Sequence, residues 1–464
     1  MFARGFYDVL AEVDGQKRRR GMMRIRILTI VPEAFGSFLE TAVIRKAVQR
    51  GRLEIEVVDM REFAGGSFRK IDDSPYGGGT GMVLRVDTVA RAIRAVSGKG
   101  ERVVLMSPRG RKYNQKMARE FVDGKDLVLV CGHYEGVDER VRDFVDEEVS
   151  LGDFVLTGGE LAAQVVVDSV ARLLPGVLRA GAAEEESFEA GLLEYPQYTH
   201  PAEFEGRSVP MVLLSGDSAK IRQWRLKEAI IETIHNRPEM LAEGVFEKEA
   251  VEVGENSGNG NLVERKPKVL VGRSRAKIIF FEGFVLKIRP SDTEAEREVV
   301  AMRWLKGKLP VPEVIYHEVH DGISYLLMSR LKGKMLCDQR ILGNRRRLLK
   351  TCAAALKMLW AVDLDGCPFV SGIGEVSDFG KELVLSHGDF CLPNILCDND
   401  GVCGFLDWGN CHIGRRESDI EDCLKSLNDN LVGKYAVLAP DGMGNGVVAD
   451  ERREVKLEEL ISLL

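Results

Sequence analysis

Asp389 and Asn394 stand five residues apart in Ser386-His387-Gly388-Asp389-Phe390-Cys391-Leu392-Pro393-Asn394, and Asp407 follows in Gly404-Phe405-Leu406-Asp407-Trp408-Gly409. Phosphoryl transfer from a magnesium nucleotide needs such a set. One carboxylate orients or deprotonates a hydroxyl, while an amide and a second carboxylate hold the metal. Upstream, Lys287 ends the strand-like run Val285-Leu286-Lys287, and Glu298 lies on the next predicted helix, the order of a phosphate-gripping lysine and its ion-pair partner. The first half offers different chemistry. The segments Tyr76-Gly77-Gly78-Gly79-Thr80-Gly81, Ser107-Pro108-Arg109-Gly110 and Gly132-His133-Tyr134-Glu135-Gly136 are Gly-rich loops that follow predicted strands. Ligands of open α/β sheets bind beyond the carboxyl ends of strands, so these loops predict a small-molecule site.

The elements that must position these residues differ between the halves. From residue 23 to about 178, apolar runs (Ile25–Val31, Leu53–Val58, Val103–Met106, Leu127–Val130) alternate with helical stretches such as Glu40–Arg50 and Thr88–Ala95. That alternation predicts an α/β domain with a mainly parallel sheet. Ala180 to Glu186 is acidic and small-residued and reads as a mobile loop. A helix-rich piece follows over roughly 190–245. The stretch Glu252 to Arg265, with Gly254-Glu255-Asn256-Ser257-Gly258-Asn259-Gly260-Asn261, has linker composition and marks the main boundary. Beyond it, short strands surround a hairpin over 268–330 with a helix at Thr293–Lys306, then a helix over 341–362 and a strand-loop-strand over 383–407. The expected domains are therefore an extension (1–22), an α/β domain (23–178), an acidic linker (179–190), a helical domain (191–246), a flexible linker (247–267) and a terminal domain (268–464).

The chain has 464 residues, 45% hydrophobic and 30% charged, which fits a folded multidomain protein and excludes a disordered one. Lys+Arg 65 against Asp+Glu 72 excludes a globally basic nucleic-acid binder but leaves room for a local basic patch. No apolar run reaches the length of a membrane span, and Met1 to Arg20 lacks the pattern of a secretory leader, so no membrane partner and a cytoplasmic protein are expected. The run Lys17-Arg18-Arg19-Arg20 reads as a solvated extension, an RNA-facing tail or the trace of an upstream start, with Met22 and Met23 as other starts. Eight of the nine cysteines fall between Cys337 and Cys423, without a CxxC pair. Zinc ligands are normally paired more closely, so reduced thiols acting as small apolar side chains are expected.

Five further motifs carry a resemblance. Asp73-Ser74-Pro75-Tyr76-Gly77-Gly78-Gly79-Thr80-Gly81-Met82, Cys131-Gly132-His133-Tyr134-Glu135-Gly136-Val137-Asp138-Glu139-Arg140, Gly152-Asp153-Phe154-Val155-Leu156-Thr157-Gly158-Gly159-Glu160-Leu161, Val167-Asp168-Ser169-Val170-Ala171-Arg172 and Gly191-Leu192-Leu193-Glu194-Tyr195-Pro196-Gln197-Tyr198-Thr199 occur in that order. Residues 23–245 closely resemble the bacterial tRNA (guanine-37-N1)-methyltransferases of the SPOUT superfamily. The resemblance implies a trefoil-knotted α/β domain, a small helical domain, a homodimer sharing its site, and S-adenosylmethionine as cofactor. It implies a cofactor site at Met106, Ser107, Pro108, Gly132, Tyr134, Glu135, Leu151, Gly152, Asp153, Phe154, Val155, Leu156, Gly158 and Gly159. Backbone donors can come close to a nucleoside where no Cβ intervenes, which suits these Gly-rich segments.

Guanine N1 carries a proton, so a general base is needed, and charge spreading to O6 calls for a fixed cation. The resemblance puts the cation at Arg172 and the base at Glu186, the residue before Ser187-Phe188. The family has Asp there, so this chain departs by one methylene, and Glu184 and Glu185 remain candidates. Glu135 is read either as a partner of the cationic cofactor or as half of a structural salt bridge, and His133 as a structural hydrogen-bonding residue. Arg45, Lys46, Arg50 and Arg52, Arg109, Arg111 and Lys112, and Arg222, Trp224, Arg225 and Lys227 are candidates for binding the tRNA anticodon stem-loop around G36-G37, or solvated faces.

The second half resembles aminoglycoside phosphotransferases of the 3′ type, especially at Trp304-Leu305-Lys306-Gly307-Lys308-Leu309-Pro310-Val311-Pro312 and Asp321-Gly322-Ile323-Ser324-Tyr325-Leu326-Leu327-Met328-Ser329. That implies a protein-kinase-like, two-lobed α+β fold over 268–464, with ATP and Mg²⁺ as cofactors. Asp389 would be the base, Asn394 and Asp407 the metal ligands, Lys287 with Glu298 the ATP-phosphate clamp, and Ser274 part of the nucleotide loop. Only about 16 residues separate Cys367 from Val384, where the family has a longer insert that supplies part of the antibiotic site, so the small-molecule acceptor stays open. The expected function is tRNA guanine methylation with a fused phosphotransferase. The alternative is a phosphotransferase whose first half only binds RNA.

Overall fold

The computed structural model describes residues 22–65, 70–98, 100–179, 186–188, 191–242, 268–271, 276–369, 383–432 and 454–464. The Lys17–Arg20 run, Glu184, Glu185, Ser274, the 243–267 segment and residues 370–382 lie outside them. The chain forms two compact units, residues 1–190 and 191–464.

In the first unit, strands β1 (Met23–Thr29), β2 (Leu53–Asp59), β3 (Arg102–Lys112), β4 (Leu127–Cys131) and β5 (Glu147–Ser150) form one sheet in the order β2-β1-β4-β3-β5. Every pairing is parallel. The central strand β4, Leu-Val-Leu-Val-Cys, is buried at every position. Its side chains alternate between two cores: Leu127 and Leu129 join one, Val128 and Val130 the other. A parallel strand covered on both faces has to read as a continuous apolar run, and this one does.

Helices cover both faces. Helix α1 (Ala42–Gln49) buries Ile44 and Ala47, and α2 (Val86–Val96) buries Val89, Ala92 and Ile93. Helix α3 (Gln115–Asp123) is capped by Asn114, whose side chain accepts from the Met117 amide, and α4 (Glu160–Ala171) buries Val166, Val167 and Val170. Strand β3 runs beyond the predicted Val103–Met106 to Lys112. Its pairing with β5 breaks after Met106 and resumes at Arg111, so 107–110 bulges out as the predicted loop. Only glycine fits at 110, because a Cβ would lie 2.3 Å from the Val149 nitrogen.

The second unit begins with an irregular segment carrying a small hairpin (Glu203–Phe204 with Arg207–Ser208), where a helix-rich piece was expected. Helix α5 (Ser218–Asn236) follows, capped by Asp217, which accepts from the Ala219 and Lys220 amides. Strands β6 (Lys268–Val271), β7 (Lys277–Phe280), β8 (Phe284–Pro290), β9 (Val314–His320) and β10 (Ile323–Ser329) build an antiparallel sheet in the order β6-β7-β8-β10-β9. Helix α6 (Thr293–Leu305) follows β8, as predicted. One face of the sheet, with Leu326 and Met328, joins the core of α6, α7 (Arg345–Trp360) and α8 (Arg416–Leu431). The opposite face, with Ile279, Leu286 and Leu327, joins Ala229, Ile230 and Ile234 of α5 in a separate core. Each fully buried aliphatic side chain there contributes about 1.5–3 kcal/mol. All nine cysteines are free, and Cys352, Cys411 and Cys423 are fully buried. Among the described residues, no helix is long and apolar enough to cross a membrane.

Candidate functional site

In the first unit, a cavity of about 1190 Å³ opens at the carboxyl ends of β3, β4 and β5. Met106, Ser107, Pro108, Gly132, Tyr134, Glu135, Leu151, Gly152, Phe154, Val155, Leu156, Gly158 and Gly159 all line it. Asp153 does not; it ion-pairs with Lys112 at 2.5 Å. The loops are pressed together where they meet. A Cβ on Gly159 would lie 2.8 Å from the Cα of Cys131 and 3.0 Å from the nitrogen of Gly132. Tyr134 is held at φ 58 in this wall, a left-handed conformation that costs a bulky residue about 1–3 kcal/mol.

Sequence reasoning missed part of the cavity. Asp73, Tyr76, Arg85 and Asp87 line its other side, and Arg85 ties the two carboxylates together at 3.3 and 3.0 Å. Asp73 and Tyr76 belong to a loop that the sequence already marked for a small-molecule site, whereas Arg85 and Asp87 lie beyond every quoted motif. Beneath the floor, the buried Glu160 carboxylate accepts from the Thr29 hydroxyl at 2.7 Å and lies 3.7 Å from Nδ1 of His133. Glu160 thus anchors the end of β1 to the start of α4, directly under the Gly132 loop.

Arg172 caps the C-terminus of α4, and its guanidinium contacts both carboxylate oxygens of Glu186. The predicted cation and base therefore meet, although fourteen residues separate them. Neither lines the cavity. Phe188, two residues after Glu186, has φ 76. Some cations of the basic clusters are engaged in ion pairs. Arg109 meets Glu139 at 2.9 Å, Arg111 meets Glu120 at 3.1 Å and Lys227 meets Glu228 at 2.8 Å.

In the second unit, the Lys287 ammonium sits between Glu298 (2.8 and 2.9 Å) and Asp407 (2.8 Å). Lys287 is 7% and Glu298 2% exposed. Burial disfavours the charge on Lys287, but the two carboxylates outweigh it and hold the pKa above that of an ordinary lysine. Burial pushes Glu298 up against the pull of Lys287. For Asp407 the ammonium wins over burial and holds the carboxyl below the usual range. Asp407 adopts φ 63.

The pairing of Ile395–Cys397 with Val402–Phe405 carries Asn394 alongside Asp407, since the Leu406 amide bonds to the Asn394 carbonyl. The Asn394 amide donates to the backbone and carboxylate oxygens of Asp389, both at 3.0 Å. His387 donates from Nε2 to the Leu406 carbonyl at 2.9 Å, and its amide donates to buried Asp419 at 3.0 Å. Gly388 has φ 75, and a Cβ there would lie 2.1 Å from the Asn410 carbonyl oxygen. The five predicted residues thus gather at one place.

Oxygen donors from one carboxylate and one amide suit Mg²⁺, which keeps waters and phosphate oxygens as its other ligands. Asp407 and Asn394 fit that demand. Gly-rich loops around the cavity of about 1190 Å³ fit a nucleoside-bearing methyl donor.

Comparison with known proteins gives each of the two sites its own family, the first match running past residue 190 into the second unit. Residues 23–243 match the family model described as tRNA (Guanine-1)-methyltransferase TrmD, and residues 268–373 and 376–437 match the phosphotransferase enzyme family. The first half is similar to the tRNA (guanine-N(1)-)-methyltransferase of Dictyoglomus turgidum, 47% identical over 233 residues, which cover 50% of this chain and 95% of the relative. The Geobacter metallireducens protein of that name is 48% identical over 231 residues, covering 49% and 94%. That of Moorella thermoacetica is 51% identical over 226 residues, covering 47% and 90%.

Proposed function

Because this chain belongs, through its first half, to the tRNA (guanine-N1)-methyltransferase family and carries a phosphotransferase-family domain in its second, we infer that it methylates N1 of guanine in tRNA and also transfers phosphate from ATP. Position 37, next to G36 in the anticodon loop, is the guanine we assign. The observation that carries the reading is the contact of Arg172 with Glu186. It supports a base and a cation presented together from α4 and the acidic loop.

S-adenosylmethionine, held in the cavity, would supply a methyl group for N1, with the neutral thioether as leaving group. Glu186 takes the N1 proton, and Arg172 offsets charge growing on O6. The Gly132 and 151–159 loops would hold the nucleoside, and Glu135, which lines the same cavity, would offset the cofactor's positive charge. In the kinase half, Asp389 accepts the proton of an acceptor hydroxyl, Lys287 with Glu298 grips phosphates, and Asn394 and Asp407 hold Mg²⁺. Ser274 belongs to the nucleotide loop in this reading.

We read 23–178 as a trefoil-knotted SPOUT domain, 191–246 as a small helical domain contacting tRNA, and 268–464 as a two-lobed kinase-like domain. The extension 1–22, acidic linker 179–190 and flexible linker 247–267 join them. The site is shared across a homodimer. Cavity and Arg172–Glu186 pair are separate within one chain, and Phe154, Val155, Leu161 and Val165 leave apolar surface exposed around them. A cytoplasmic location accompanies the tRNA substrate.

The test is to incubate the chain with labelled S-adenosylmethionine and a tRNA carrying G36-G37 and map the product. N1-methylguanosine at position 37 is expected, and Glu186→Gln should lose about 100-fold or more in rate. Full activity in Glu186→Gln, with loss in Glu184→Gln or Glu185→Gln, would move the base. ATP consumption across aminoglycosides and other small alcohols should vanish in Asp389→Ala.

A further inference from the structure

Side chains of a strand alternate between its two faces. On β8 that alternation sends Phe284, Leu286 and Ile288 into the core shared with α5, while Lys287 turns to the opposite face and meets Glu298 and Asp407. The phosphate-gripping lysine is therefore flanked in sequence by two side chains buried against the helical segment. Among the described residues, twelve buried ones make up that core, five from residues 192–241, six from the sheet strands and Phe281 from the β7–β8 turn.

Polar ties close its rim. His235 of α5 bonds to Glu318 of β9 at 3.1 Å, Lys277 of β7 donates to the Leu241 carbonyl at 2.6 Å, and Tyr325 donates to the Pro238 carbonyl at 3.5 Å. Gln223 abuts the β7–β8 turn so closely that a Cβ on Gly283 would lie 2.8 Å from its amide nitrogen. The other end of α5 bears exposed Lys220 and Arg222.

We propose that α5 is an element of both enzymes: its apolar side closes the outer face of the phosphotransferase sheet, and tRNA held at its basic N-terminal half raises the affinity of the Lys287 site for Mg·ATP. The proposal rests on the reading that the helical segment contacts tRNA. A helix restrained by RNA restrains β8 from behind, so less freedom remains to be lost when Lys287 closes on phosphates. The coupling is reciprocal, and Mg·ATP tightens tRNA by the same factor.

The experiment uses the full chain. Binding of Mg²⁺ with a non-hydrolysable ATP analogue is titrated with and without the G36-G37 tRNA, alongside hydrogen exchange over 277–290. The expected result is a drop in the nucleotide Kd of about fivefold or more, with slower exchange in β7 and β8. Ile230→Ala, which trims the core, should at least halve that factor. The rim pair His235→Ala with Glu318→Ala is the second variant, should Ile230→Ala fail to fold. If the tRNA binds and is methylated while nucleotide affinity and exchange stay unchanged, the coupling is overturned and the methyltransferase reading survives. If the tRNA does not bind at all, both fall. A factor equal to wild type in every folded variant removes α5 as the route and also overturns the proposal.

Discussion

At the scale of single residues, the predicted chemistry is visible as strain and contact. Five non-glycine residues among those described have positive φ, and Tyr134, Phe188 and Asp407 of these lie in segments singled out for chemistry. Such conformations persist only where surroundings enforce them. Removing the Arg172 cation should lower the methylation rate about 100- to 1000-fold with little change in cofactor affinity, measured as kcat and Kd of Arg172→Ala. Gly388→Ala, with its Cβ driven against Asn410, should lose ATP consumption and unfold at lower temperature by circular dichroism.

His387 gives a pH signature. Burial lowers its pKa below the ordinary histidine value, outweighing nearby Asp419 and Asp389. The unfolded chain then binds the proton more readily, so stability rises with pH, and this contribution is lost as pH falls through the unfolded value near 6.5. Denaturation midpoints of the wild type should drop between about pH 7 and 5 more steeply than those of His387→Gln.

At the scale of elements, much was legible and the reasons are specific. The run Leu127–Cys131 announced a strand buried on both faces because nothing in it is polar. The Lys287–Glu298 pair was legible because a strand followed by a helix fixes which side chains can meet. The end of β3 was not: Ser107–Gly110 reads as a terminating loop, and only the renewed pairing of Arg111 with Val149 makes it a bulge. Nor was the neighbour of α5. Ala229, Ile230, Thr233 and Ile234 announce a buried face at helical spacing, yet that spacing says nothing of what covers it. Asp292 makes a further prediction at this scale. It caps α6 by accepting from the Ala295 amide at 2.8 Å and pairs with Arg289 at 3.2 Å. Asp292→Ala should cost about 1 kcal/mol in chemical denaturation and raise the KM for ATP, because α6 carries Glu298.

At the scale of the whole molecule, the proposed homodimer makes a prediction that the exposed apolar residues allow to be tested. Val155 is 87% and Leu161 57% exposed beside the cofactor loops. An aspartate at Val155 should shift the chain from dimer toward monomer in sedimentation equilibrium and lower methylation in parallel, while ATP consumption is kept.

The core that α5 shares with the phosphotransferase sheet also bears on how such a fused gene can be rearranged. Recombination between residues 243 and 267 would sever the enzymes at the wrong place, since Phe284, Leu286 and Leu327 would be left bare on the transplanted half. A portable phosphotransferase would have to take residues 191–242 with it, or have polar substitutes written along that face.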